Sequence, residues 1–204
     1  MSVPYFLKNI PPGVYDDITY LTRKDDLYNE AIEMLNKSNE ISIFPVMIPF
    51  SKPEILSLLL ISTENFVFIF DILAYGNQKV PEEFSKIFLS KKKKIVFDKN
   101  RTFSRLGFNT AEINVPHIVD IKMLDYLYNL IRNPGQNPNR KLLHCMEECF
   151  PQAKTWIDIS ALLVFVNWID RPLLQMQHMK IGRFASFLLP TCKVLEDKLT
   201  DCLS

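Results

Sequence analysis

Three apolar runs between Ile41 and Phe70 limit what this chain can become: Ile41–Ile48 (ISIFPVMI), Ile55–Ile61 (ILSLLLI) and Phe66–Phe70 (FVFIF). A strand with one wet face alternates apolar and polar residues. These runs do not, so each reads as a strand buried on both faces. Ser62–Asn65 (STEN) is a turn that joins the second and third runs as an antiparallel hairpin. Pro45 cannot donate to a ladder and marks a bulge or a strand end. A sheet covered on both sides needs helices above and below it.

The remainder of the chain supplies those helices. Residues 1–20 carry Pro4, Pro11, Pro12 and Gly13 and read as an irregular lead-in, with Ile18–Tyr20 as a short strand. Thr22 is expected to cap a helix through Leu27, Ala31, Met34 and Leu35 that ends at Lys37–Asn39. Pro81, Glu82 and Glu83 open a helix through Leu89, with the acids in its first turn. Two further strands, Ile95–Phe97 and Val115–Val119, flank a helix over Asn100–Gly107, and Asp120 caps the helix Ile121–Ile131. Asn133–Asn139 is a loop by composition. The helices Lys141–Cys149, Trp156–Val166, Pro172–Leu188 and Thr191–Cys202 follow. Residues 21–204 thus form a single α/β domain, a mixed five-stranded sheet flanked by helices with a helical C-terminal region.

Charge and cysteines exclude several functions. The net charge is +1 and the pI about 7.6, so no whole-molecule field recruits nucleic acid and any such binding needs a local patch. Cys145, Cys149, Cys192 and Cys202 follow no C-x-x-C spacing, which points to a reducing, cytoplasmic setting without a structural zinc. No apolar run reaches the ~20 residues that span a bilayer, and no cofactor motif is present.

The segment from Trp168 to Pro190, WIDRPLLQMQHMKIGRFASFLLP, has apolar residues at three- and four-residue steps and reads as a packed helix opened by Arg171 and Pro172. Its wording resembles the last motif of the RNase D branch of the DEDD 3′-to-5′ exonucleases. There W-x-x-R-P-L begins a helix, and a downstream Y-x-x-x-D gives a proton-handling tyrosine and a metal-binding aspartate. Trp168, Arg171, Pro172, Leu173, Gln177, Leu188, Leu189 and Pro190 fit. The resemblance implies a ribonuclease-H-like fold with four acids around two divalent metals.

Matched position by position, those acids are missing. The tyrosine falls on Lys180 and the aspartate on Phe184. The first strand, apolar-x-apolar-D-x-E in the family, places Phe44 and Val46 at its two carboxylates. The pattern V-x-H-x-x-x-x-D-L puts Phe97 at the histidine and Thr102 at the aspartate. Magnesium demands hard oxygen donors, and these residues offer one hydroxyl between them. The expectation is a pseudonuclease with no metal and no cofactor.

Other candidates are weaker. Asp71, Asp98, Asp120, Asp158 and Asp170 read as structural acids, and His117, His144 and His178 form no triad. Lys91, Lys92, Lys93 and Lys94, with Lys99, Arg101 and Arg105, make the one basic concentration, a candidate RNA-binding patch or a solvated turn. The apolar surplus of the C-terminal helices suggests a partner surface. The nearest resemblance is to noncatalytic exonuclease-domain adaptors, the Egalitarian-like proteins and the exonuclease-domain subunit of piRNA biogenesis. It implies a scaffold that dimerises or binds other protein subunits, sometimes RNA, in cytoplasmic ribonucleoprotein granules. The alternatives are an RNA-binding module and an active exonuclease with relocated ligands.

Overall fold

A computed structural model describes residues 17–76, 79–109, 114–134, 140–154 and 167–204. Its elements are β1 (Asp17–Leu21), α1 (Asp26–Lys37), β2 (Glu40–Met47), β3 (Leu56–Ser62), β4 (Phe66–Asp71), α2 (Glu82–Leu89), β5 (Lys93–Val96), α3 (Lys99–Arg105), β6 (Ile118–Asp120), α4 (Ile121–Arg132), α5 (Leu142–Cys149), α6 (Gln175–Ser186) and α7 (Leu188–Leu203). The strands form one six-stranded sheet in the order β1-β4-β3-β2-β5-β6. β2, β3 and β4 are antiparallel neighbours, while β1, β5 and β6 join in parallel. This is a mixed α/β sheet with flanking helices, as expected, but with six strands rather than five. The sixth is β1, the short strand read at Ile18–Tyr20 but left with the lead-in outside the sheet; it runs alongside β4 from Asp17 opposite Phe66 to Leu21 opposite Phe70.

Burial on both faces explains the unbroken apolar runs. Leu58 and Leu60 of β3 and Val67 and Ile69 of β4 face the core beneath α5, α6 and α7. Their neighbours Leu59, Ile61, Phe68 and Phe70 point the other way, into a core closed by α1, α2 and α3. The alternation of the pleat is intact; both of its faces are dry. Pro45 stays within β2, opposite Leu59, and the ladder shifts register just after it, between Val46 and Met47.

Three helix starts differ from expectation. α1 is capped by Asp25, whose carboxylate accepts from the Tyr28 amide at 3.2 Å, and not by Thr22, because β1 keeps the chain extended to Leu21. α6 begins at Gln175, where the Gln177 side chain accepts from the Leu174 amide at 2.8 Å. Arg171 and Pro172 lie before it and are occupied elsewhere, as described below. The expected continuous helix to Leu188 ends at Ser186, and a new one, α7, starts at Leu188 with Pro190 in its first turn. Asp120 caps α4 as read, accepting from the Lys122 amide at 3.0 Å. The expected helix Trp156–Val166 lies outside the described residues.

The edge strand is pinned by α6. Gly182 passes so close to it that a Cβ there would sit 2.6 Å from Cγ2 of Ile18. His178, one turn earlier, stacks on Tyr20 with ring centroids 4.8 Å apart.

Candidate functional site

β2, α3 and α6 bring Phe44, Thr102 and Phe184 to one cleft of about 580 Å³. The rings of Phe44 and Phe184 meet at a centroid distance of 5.1 Å, tilted by 60°. Phe184 is buried, and Val46 is buried behind the cleft in the same core. The Thr102 hydroxyl, also buried, donates at 3.1 Å to the carbonyl of Phe97, just ahead of the α3 cap. Lys180 is exposed on α6 and does not line the cleft. The floor is therefore aromatic and aliphatic, with Phe97 beside Phe44 and with Leu142 and Leu143 from α5.

Cations outnumber acids among the described residues that line the rim. Arg101, Arg105, Lys122, Arg140 and Lys141 line the cleft against a single carboxylate, Asp98. Asp98 caps α3, accepting from the Arg101 amide at 3.1 Å, and pairs with Lys122 at 2.8 Å. The Lys122 ammonium and the Arg101 amide hold the Asp98 carboxyl below the usual carboxylate range against its burial. Asp120 ties the same corner together by accepting from the amides of Asp98 and Lys99 at 2.9 and 2.7 Å. Arg140 grips the buried Asp125 through two nitrogens at 2.7 and 3.0 Å and also pairs with Glu148. Arg105 pairs with Glu54 at 3.2 Å. Arg101 and Lys141 are exposed, and among the described residues neither makes an ion pair. Lys122, Arg140 and Lys141 are absent from any reading of the sequence as a basic patch, since they come from separate elements and form no linear run with Arg101.

The lysine run does not form the patch its spacing suggests. Lys92 points its ammonium at the C-terminal carbonyls of α1, 2.5 Å from Leu35 and 3.1 Å from Ser38, where the helix dipole favours a cation. Lys93 pairs with Glu196 of α7 at 2.8 Å. Lys94 is fully buried and donates to the carbonyls of Ser90, Lys92 and Pro116 at 2.6 to 2.8 Å. Burial pushes its ammonium down to about 8. Lys91 and Lys99 remain in solvent, and neither they nor the other lysines of the run line the cleft.

The W-x-x-R-P-L segment has a structural task. Arg171 forms an ion pair at 2.5 Å with Asp71, which is fully buried at the end of β4. Tyr20 of β1 donates to the same carboxylate, as does the Ala74 amide at 3.1 Å. The Arg171 guanidinium also donates to the Trp168 carbonyl and to the Ser57 hydroxyl, each at 2.9 Å, and buried Trp168 fills the core beneath. One side chain thus joins β1, β3, β4 and the entry to α6. Among the described residues no group of three or more His, Cys, Asp or Glu side chains could hold a metal ion.

No protein-family model matches the sequence, and no curated protein matches it. Solved structures do. The Nibbler exonuclease domain of Aedes aegypti is similar over 90% of this chain and 89% of that one, at 20% identity and a TM-score of 0.70. Escherichia coli RNase D, an exoribonuclease involved in structured RNA processing, is similar over 91% of this chain and 46% of its own, at 15% identity and a TM-score of 0.71. The fold is the ribonuclease-H-like α/β fold of these exonuclease domains. RNase D of Trypanosoma brucei, solved in complex with RNA, matches over 89% of this chain and 63% of its own, at 13% identity and a TM-score of 0.68. This exonuclease-fold chain therefore spans nearly all of the mosquito domain and about half to two thirds of the two RNase D chains. No helix among the described residues is long and apolar enough to cross a membrane.

Proposed function

We propose that this exonuclease-fold domain is noncatalytic and serves as a protein-interaction scaffold in small-RNA (piRNA-like) or messenger-RNA ribonucleoprotein complexes of the cytoplasm. The observation that carries the noncatalytic reading is the contact of Phe44 with Phe184. A two-metal centre needs carboxylate oxygens converging from a strand and a facing helix, and two phenyl rings occupy that convergence. Val46 is apolar, and Thr102 offers one neutral hydroxyl oxygen, its hydrogen donated to Phe97, where a carboxylate would be needed. A partly dehydrated divalent cation set on such a floor would lose hydration without compensation.

The scaffold reading rests on α4. Met123, Tyr126, Leu127, Leu130 and Ile131 recur at helical spacing and are all exposed, whereas the opposite side of the helix buries Ile121, Asp125 and Tyr128. An apolar stripe of this kind marks an interaction surface. Protein subunits, a second copy of the chain among them, are the partners it suits.

Incubation with 3′-extended labelled RNA in manganese tests the first part. No shortening is expected, and shortening abolished by a chelator would show an active exonuclease with relocated ligands. Affinity purification of the intact protein with and without ribonuclease tests the second. Partner proteins retained after ribonuclease treatment are expected, whereas partners lost with the RNA would favour a plain RNA-binding module.

A further inference from the structure

We infer that the groove between the start of α7 and the β3–β4 turn is the seat of this chain's own residues 3–10, their apolar side chains on its floor and the Lys8 ammonium among the acids of its rim. The inference stands apart from the noncatalytic reading, because no residue of this groove lines the cleft. Docked there, the segment closes the groove to other chains.

The groove has a volume of about 600 Å³. Ile95, Phe150, Leu189 and Val194 give it an apolar floor, on which Leu189 and Val194 are half-buried. Glu40, Glu64 and Asp197 stand on the rim, and among the described residues none of them makes an ion pair. Lys93 and Glu196 answer each other at 2.8 Å, so Lys193 is left as the one cation among the described lining residues against those three acids. A segment with apolar side chains and a positive charge complements such a surface.

Val3–Ile10 (VPYFLKNI) is a segment of that kind: five of its eight residues are large and apolar, and Lys8 carries its single charge. Position brings it there. On α6, His178 stacks on Tyr20 and Gly182 packs against Ile18, so four residues of helix match two of strand. The next step in that direction is Ser186, which lines the groove, and Asp17 lies opposite Phe66, just past Thr63 and Glu64 of the same rim. The chain therefore enters β1 at the edge of the groove. The far rim, Glu40 of β2 and Lys93 of β5, is three and four strands from β1, about 14 and 19 Å at ~4.8 Å per strand. The chain from Lys8 to Asp17 spans up to about 30 Å, enough to cross it. A tether of that length sets an effective concentration on the order of millimolar, which favours this segment over a separate peptide of the same chemistry.

The test is made on the full chain with p-benzoylphenylalanine in place of Phe6. Irradiation in dilute solution should link it, within the same molecule, to Phe150, to Leu189–Asp197 or to Thr63–Glu64, as mapped by mass spectrometry. Trypsin cleavage after Lys8, compared with that of a synthetic peptide of residues 1–16, gives an independent reading, because its rate follows the undocked fraction. Wild-type protection of about tenfold or more is expected. F6S/L7S, compared with the peptide of its own sequence, should lose most of it, because the apolar anchors are gone. E64Q/D197N, at two exposed positions, should lower it about threefold, and E30Q, on α1 across the sheet, less than about twofold. Thermal melting of each variant separates lost docking from lost folding. A link from position 6 to α4 or to the cleft, no link at all, cleavage after Lys8 as fast as in the peptide, or unchanged protection in E64Q/D197N would each overturn the inference. Links only between molecules would also overturn it and make a second copy the occupant.

Discussion

Replacing Arg171 by methionine isolates the most concentrated polar interaction in the fold. The substitution keeps the aliphatic stem and removes the partner of a carboxylate that is fully buried at the end of β4. Among the described residues the Asp71 carboxylate would retain the Tyr20 hydroxyl and the Ala74 amide, and the Ser57 hydroxyl and Trp168 carbonyl would each lose a guanidinium donor. Breaking one side of a buried pair costs about 3–5 kcal/mol, because the remaining charge is left uncompensated. With a urea m-value of about 2 kcal/mol/M, the midpoint should fall by about 1.5–2.5 M. The measurement is urea unfolding followed by circular dichroism for the wild type, R171M, D71N and the double variant. The double should be less destabilised than the two singles added together, with a coupling of about 2 kcal/mol or more. A loss in R171M under about 1 kcal/mol, or additivity in the cycle, would refute the claim that this ion pair anchors β1 and the entry to α6.

Three further outcomes follow from other sites. Phe184→Ala should cost about 3–5 kcal/mol in a denaturation series, since it empties a buried ring position against Phe44; retention of wild-type stability would mean the rings are not a core contact. Gly182→Ala should destabilise by about 1–3 kcal/mol, because the new methyl meets the branched Cγ2 of Ile18 at 2.6 Å, and I18A in the same chain should recover part of the loss. Lys94 is charged less readily in the fold, near pH 8, than at its ordinary 10.5. Between those values the unfolded chain binds the extra proton, so this residue makes stability rise with pH across the window. Thermal melting of Lys94→Met from pH 8 to 10.5 should show a smaller rise than the wild type, and identical pH slopes would disprove it.

Local chemistry carried far in the sequence, and the failures share one cause. The strands from Ile41 to Phe70 could be read because burial on both faces leaves a continuous apolar run. Asp120 could be read because a cap acts within two residues of itself. Thr22 and Asp25 are both able to cap a helix, and what chose between them was the pairing of Leu21 with Phe70 in β4. Arg171 and Pro172 look like a helix start until Asp71, far away in the chain, takes the guanidinium. The lysines from 92 to 94 look like a basic patch because proximity in sequence hides that their neighbours in space are the carbonyls of α1, the carboxylate of α7 and the interior. The cationic rim was read only in part, through Arg101 and Arg105; Lys122, Arg140 and Lys141 went unread for the converse reason, because they converge on it from separate elements.

The Phe44–Phe184 contact also fixes the direction in which such a protein can evolve. A carboxylate placed at either ring alone would exchange a packed ring contact for a charge on a hydrocarbon floor, with only the rim cations to answer it. Each such single substitution therefore costs stability, and selection on folding alone opposes it.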